Sequence, residues 1–244
     1  MAIEKTVTEA IQARRSVRVF RKDIDPDPDK VRQCIENAVL APTSSNLQLW
    51  EFYHITDNTM RQQMTKACLG QNAAKTAKQL VVVVARKDLW KKRALANKEF
   101  LKSTIGEKPT SDYTRRERFA LGYYSKVIPS IYTEFLGILG WIRYILFSVI
   151  GLFRPVYREV RKSDLRVVAH KSAGLAAQNF MISMAAIGYD TCPMEGSDTY
   201  RIKKLLHLPW GAEINMVIGC GVRDPEGVYG PRFRVPFTEV YKRV

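Results

Sequence analysis

Four short segments carry side chains that could do chemistry. Arg14, Arg15, Ser16 and Arg18 place three guanidiniums and a hydroxyl within five residues. The planar fork of arginine suits bidentate contact with a phosphate, although the same run also fits a solvated basic helix end. Pro42, Thr43, Ser44, Ser45 and Asn46, followed by Gln48 and Trp50, supply small hydroxyls and amides. Such groups can hydrogen-bond a polyol or the edge of a heterocycle, and they are equally the residues of an ordinary turn. In Pro193, Met194, Glu195 and Gly196, the glycine would let backbone approach a flat ligand closely, or simply make a turn. Arg232 and Arg234 alternate within PRFRVP, residues 231–236, so an extended backbone would point both guanidiniums to one side. Taken singly, none of the four is decisive.

The elements that must position these segments can be read from periodicity and caps. Thr6 and Glu9 fit a capping box ahead of a short helix over residues 8–15. Asp27 and Pro28 fit an N-cap and a proline at the first helical position. Val31, Cys34, Ile35, Ala38 and Val39 then fall on one helix face, and the helix is expected to stop at Ala41 and Pro42. Residues 50–55 read as a strand. Residues 80–84, Leu-Val-Val-Val-Val, read as a strand buried on both faces. A nearly uncharged helix is expected over 169–187 and another interior strand over 214–220. Strands separated by helices argue for an α/β or α+β sandwich with helices on both sheet faces.

Composition narrows the class. The chain has 244 residues, 46% apolar and 26% charged, a globular balance sized for one large or two small domains. Its net charge of +15 leaves nucleic acid, an anionic membrane surface or a phosphorylated small molecule as partners. Cys34, Cys68, Cys192 and Cys220 form no C-x-x-C pair, and the histidines are His54, His170 and His207. That pattern predicts no zinc site and reads the cysteines as small buried hydrophobes in a reducing compartment. His54 and His207 read as structural; His170, opening the central helix, could also line a pocket. Residues 1–15 contain Glu4 and Glu9 and no apolar h-region, so no secretory leader is expected and a cytoplasmic location is.

In order and spacing, RRSVR, PTSSN-x-Q-x-W, a Gln ahead of a valine strand, AAQNF on a helix, P-x-E-G and PRFRVP together resemble the nitroreductase family of FMN-dependent oxidoreductases. The resemblance covers residues 8–85 and 168–240. It implies an α+β sandwich with a central, mainly antiparallel sheet, helices on both faces and a long helical insertion at about 88–166, all in one FMN-binding domain spanning 1–244. It implies a homodimer with FMN at the subunit interface. Arg14, Arg15, Ser16 and Arg18 would hold the FMN phosphate and pyrimidine edge, joined at the phosphate by Arg232 and Arg234. Pro42, Thr43, Ser44 and Asn46 would wrap the flavin bound to the other subunit. Gln71 would meet the ribityl chain and flavin edge, while Pro193, Met194, Glu195 and Gly196 form the segment whose backbone approaches flavin N5. No side chain is expected to act as a general acid, because hydride would pass from NADH or NADPH through FMN, in ping-pong fashion, to a small aromatic acceptor such as a nitroaromatic or quinone. Two positions depart from the family pattern: Leu49 stands where Gln-Pro-Trp is common, and Ala74, beside Lys75, stands where some members place a lysine.

The middle of the chain matches no family motif. Residues 86–126 hold twelve basic and five acidic residues, and 154–166 hold five and two. Between them lie the 19 residues 135–153, FLGILGWIRYILFSVIGLF, with Arg143 their one charge. Hydropathy alone would suggest a span. A single crossing would, however, put residues 14–46 and 195–234 on opposite sides of a bilayer, and Arg143 would be costly in lipid. Three readings remain: an element lying on an anionic membrane surface at the inner face, a lid over the site, or a dimer contact. An apolar lid would suit a hydrophobic acceptor. The competing functions are a related flavin enzyme performing reductive dehalogenation or flavin fragmentation, and a non-enzymatic basic protein at a membrane surface. Nucleic acid is not expected, since no binding module accompanies the charge.

Overall fold

The computed structural model describes residues 4–244. Helix α1 (Val7–Ala13) opens with the expected capping box, Thr6 Oγ1 accepting from Glu9 N and Glu9 returning to Thr6 N. Helix α2 (Pro28–Ala38) starts on the Asp27 cap. Strand β1 (Trp50–Ile55), helices α3 (Asn58–Ala67) and α4 (Asn72–Thr76), and strand β2 (Gln79–Ala85) come next. Helices α5 (Trp90–Ile105), α6 (Arg115–Gly122), α7 (Ile128–Tyr132) and α8 (Ile138–Ile150) follow β2, with a π-helical turn over Tyr123–Val127. The long α9 (Lys162–Ala186) leads to β3 (Asp190–Met194), α10 (Thr199–Leu205), β4 (Glu213–Gly221) and a terminal turn, α11 (Phe237–Val240).

The four strands form one antiparallel sheet in the order β1-β2-β4-β3. Alternation along β2 supplies both cores. Val81, Val83 and Ala85 meet α2 and α9 on one face, while Leu80, Val82 and Val84 meet α3, α4 and α10 on the other. Opposite Val83 and Val84 the β4 register shifts, and Asn215, the extra residue of this bulge, turns its amide to His170 Nδ1 and O at 3.1 and 3.3 Å. Just past the end of β2, Arg86 is buried and pairs with Glu51 of β1 and with Asp88.

Three expectations change. The central helix begins at Lys162 rather than 169, its charged first turn being closed by Asp164 on Arg161 N (3.0 Å). Pro193 and Met194 are strand residues paired with Ile218 and Val217, so the turn starts only at Glu195. The apolar run 135–153 is not one helix. Leu136 and Gly137 take left-handed φ values of 51° and 83°, which breaks the chain before α8. The 13 residues of α8 extend about 20 Å, short of the roughly 30 Å hydrocarbon layer. Among the described residues no helix is long and apolar enough to cross a membrane.

All four cysteines are free and buried. Burial pushes Cys34 up to about 12 and Cys68 to about 11, and raises Cys192 and Cys220 as well. Because the thiolate is the reactive form, Ellman's reagent should label none of them in the folded protein and all four in denaturant. At Gly221 a Cβ would sit 2.6 Å from Phe20 Cδ1 and 2.9 Å from its Cβ and Cγ. Gly221→Ala should therefore cost about 2 kcal/mol of overpacking, a fall in Tm of about 6 °C by calorimetry.

Candidate functional site

The residues just after α1 anchor the first arginine cluster. Ser16 bridges to Thr191 of β3, Val17 N donates to Thr191 O at 3.1 Å, and Val17 and Phe20 are buried. With those apolar side chains inward, Arg14, Arg15, Ser16 and Arg18 form one wall of a cavity of about 300 Å³. Val228, Tyr229, Pro231, Arg232, Phe233 and Arg234 form the other wall.

The two walls are tied reciprocally. Arg15 Nη2 donates to Gly230 O (2.8 Å), while Arg232 Nη2 donates to Gln12 O (2.8 Å) and Arg14 O (2.5 Å) at the end of α1. A helix C-terminus favours such a cation. Arg18 N donates to Gly227 O at 2.6 Å. Gly227 itself lies so near Val19 O that a Cβ would stand 2.2 Å away, which only glycine allows.

Five guanidiniums thus share one cavity, and among the described residues none of the five pairs with a carboxylate. Burial first, then the charges of Arg232, Arg234 and Arg15, hold the Arg14 pKa below its ordinary value. Like charge packed this way is complemented by a multiply charged oxyanion, and the forked donors match phosphate.

A second group adjoins the first. Gln71, the N-cap of α4, donates from Nε2 to Gly196 O at 2.7 Å. Asn72 Nδ2 donates to Tyr229 OH at 3.2 Å, linking this group to the arginine cavity. Glu195 and Gly196 are exposed just beyond β3, and the neighbouring Ser197 Oγ is buried without a partner. Met194 is in the core, so its side chain packs rather than faces this surface.

Residues 42–46 lie elsewhere in the chain. They form a tight turn in which Ser45, Asn46 and Gln48 take φ values of 54°, 51° and 48°, a conformation that costs non-glycine residues energy. Side chains hold it in place. Thr43 Oγ1 accepts from Gln48 N (3.2 Å), Tyr123 OH meets Ser45 Oγ (2.7 Å), Tyr124 OH donates to Ser45 O (3.0 Å), and Asn97 Nδ2 donates to Asn46 O (2.9 Å). Pro42, Thr43 and Ser44 line one cavity with Tyr157, Val168 and Leu175, and Ser44 and Ser45 line a second with Tyr123, Ile128 and Ile131. Neither cavity includes a residue of the arginine cavity, so one chain does not bring the two sets together.

Sequence reasoning missed Asn97, Tyr123, Tyr124 and Tyr229, which reach the site by contacts 51 to 157 residues apart and belong to no local motif. None of the three histidines lines these cavities. His54 Nε2 meets Gln79 Oε1 at 2.7 Å, His207 lies just past α10 with φ 50°, and His170 lies beside Glu213 and Asn215. Burial acts to raise the Glu213 carboxyl, but hydrogen bonds from Arg166 and His170 outweigh it and hold the pKa below the usual value.

An antiparallel sheet covered on both faces, with a cavity of five arginines beside β3, defines an α+β protein. The chain belongs to the nitroreductase family, whose model matches residues 11–222. Protein DrgA of Synechocystis sp. is 28% identical over 218 residues, covering 89% of this chain and 84% of that protein. MhqN of Bacillus subtilis, provisionally named an NAD(P)H nitroreductase, is 22% identical and covers 95% and 96%. A provisionally named nitroreductase from Exiguobacterium sibiricum, solved in complex with FMN, superposes with a TM-score of 0.68 at 18% identity, covering 99% of each chain.

Inorganic phosphate at ten times its Kd should raise Tm by about 3–6 °C. The Arg14→Gln/Arg234→Gln variant should lose that rise in a thermal-shift titration; an equal rise in both proteins would place the phosphate outside this cavity.

Proposed function

We propose that this protein is an FMN-dependent oxidoreductase that passes hydride from NADH or NADPH to a small hydrophobic aromatic acceptor, a nitroaromatic or a quinone. The observation that carries the reading is the cavity of five arginines without a carboxylate, which fits the phosphate of FMN. The FMN complex of the Exiguobacterium neighbour and the name borne by MhqN support the cofactor and the reductant. FMN, when bound, would supply hydride acceptance and donation.

This chain's residues bind and orient. Arg14, Arg18, Arg232 and Arg234 hold the phosphate, while Arg15 fixes the second wall of the cavity. Ser16 and Gln71 would contact the remaining polar edge of FMN, and the backbone at Glu195 and Gly196 would approach its ring. The chain is one FMN-binding domain with residues 88–166 inserted into it.

A homodimer completes the site. Pro42, Thr43, Ser44 and Asn46 stand apart from the arginines of their own chain, and a second copy brings them together. The arm beyond Pro231 has the same need, since Phe233 and Phe237 are 77% and 70% exposed. The apolar cavity of about 300 Å³ beside Ser44 and Ser45, lined by Tyr123, Val127, Ile128 and Ile131, supports an acceptor that is flat and hydrophobic.

Reconstitution should give one FMN per chain by absorbance and ping-pong oxidation of NADH or NADPH with a benzoquinone or a nitroarene. Arg14→Gln should weaken FMN by about tenfold or more, the loss of a charge-assisted contact. Bound FMN without NAD(P)H oxidation would overturn the reaction but not the cofactor; failure to bind FMN would overturn both.

A further inference from the structure

Helix α8 turns an apolar stripe to the outside. Ile138, Trp141, Ile142, Ile145, Leu146 and Val149 recur at helical spacing and are 52–61% exposed. The helix's single charge points the other way. Arg143 donates to Ser130 O (3.1 Å) and Thr133 O (2.8 Å) and pairs with Glu134, both side chains being largely buried. Gly140 sets the inner face, since a Cβ there would come within 3.1 Å of the Arg161 backbone. An ordinary surface helix buries its apolar face and shows its charges; α8 does the reverse, and its inner contacts prevent it from rolling over.

Cations rim the stripe. The Arg161 guanidinium lies 5.5 Å from the Trp141 ring and 4.8 Å from that of Tyr144. Arg158 Nη2 donates to Gly151 O at the C-terminal end of α8 (2.5 Å), and Arg154 and Lys162 are exposed nearby in the chain. Asp164 pairs with Arg161, which leaves Glu159 as the one exposed carboxylate over residues 151–163. Tryptophan with a cation at its edge is the arrangement found where a protein meets headgroups.

We propose that the outward face of α8 docks this protein on an anionic lipid bilayer, lying in the interface without crossing it. A helix of 13 residues is too short to span, and an apolar stripe with a cationic rim is what an interfacial helix uses. A second copy is the competing occupant, but a self-complementary contact here would set the cationic rim of Arg154, Arg158 and Lys162 against its own copy, whereas an anionic surface is complementary. None of the residues of α8 lines the arginine cavity or the cavities at residues 42–46, the two sets that the proposed subunit contact joins. The inference does not depend on the flavin chemistry.

The test is flotation of the full chain, FMN added, with vesicles of phosphatidylcholine alone or containing 30% phosphatidylglycerol (roughly the anionic content that makes such electrostatics visible). The protein should float with the anionic vesicles and much less with the neutral ones. Ile142→Glu/Leu146→Glu should cut the bound fraction at least tenfold while NAD(P)H oxidation with a water-soluble quinone and Tm stay unchanged. As a check that needs no folding-sensitive variant, brominated phosphatidylglycerol should quench tryptophan fluorescence, and Trp141→Phe should remove the quenched component. No flotation with anionic vesicles, equal binding to neutral ones, or quenching that survives Trp141→Phe would overturn the proposal. So would a sedimentation-detected dimer that the double substitution dissociates, since a second copy would then cover the stripe.

Discussion

Strand β2 has no solvent face, and the rest of the molecule answers to that. Each of its seven residues is buried, so neither side of the sheet can be left open to water. One side is closed by α2 and α9, the other by α3, α4 and α10. Once both faces are covered, only the sheet's ends remain accessible. The arginine cavity, the Gln71–Gly196 contact and the Pro42 turn all lie in connections outside the strands, held by backbone whose geometry the sheet fixes. The helices α5 to α8 begin soon after β2 ends, where the Glu51–Arg86–Asp88 cluster ties the chain to β1.

Local signals in the sequence predicted local structure well. The Thr6/Glu9 box and the Asp27-Pro28 start each needs only three or four neighbouring residues, and each forms as expected. The valine run of β2 is legible because burial on both faces removes alternation. Strand β3 was hidden by Pro193, a residue that normally argues against a strand; at the sheet edge its missing N–H does no harm. The start of α9 was obscured by its own charged first turn. The break at Leu136 and Gly137 was masked by hydropathy, which records apolarity but not φ. At the site, the four motifs could be recognised, yet how they divide could not. That Arg14 meets Arg232 and that residues 42–46 lie elsewhere are tertiary facts.

Charge is handled by two opposite devices in the same chain. In the arginine cavity, cations are gathered without carboxylates, and only backbone carbonyls steady them. Their mutual repulsion is the reason an anion would be held there. At α8 the one cation inside an apolar segment is turned inward and neutralised by Glu134 and two carbonyls. The first arrangement leaves electrostatic demand unsatisfied at a cavity; the second pairs the charge inside the protein and leaves hydrophobic surface outside.

The arginine cavity joins residue 14 to residue 234, two positions far apart along the chain. During synthesis its first wall emerges early and waits for about 220 further residues, on the order of 10–40 s at ordinary elongation rates. The growing polypeptide therefore cannot hold a phosphate ligand there until the segment 228–234 has been made and has left the ribosome. A ribosome that terminates shortly before Arg232 would release a product with its sheet complete but its ligand wall missing, distinguishable from the longer chain by what it fails to retain.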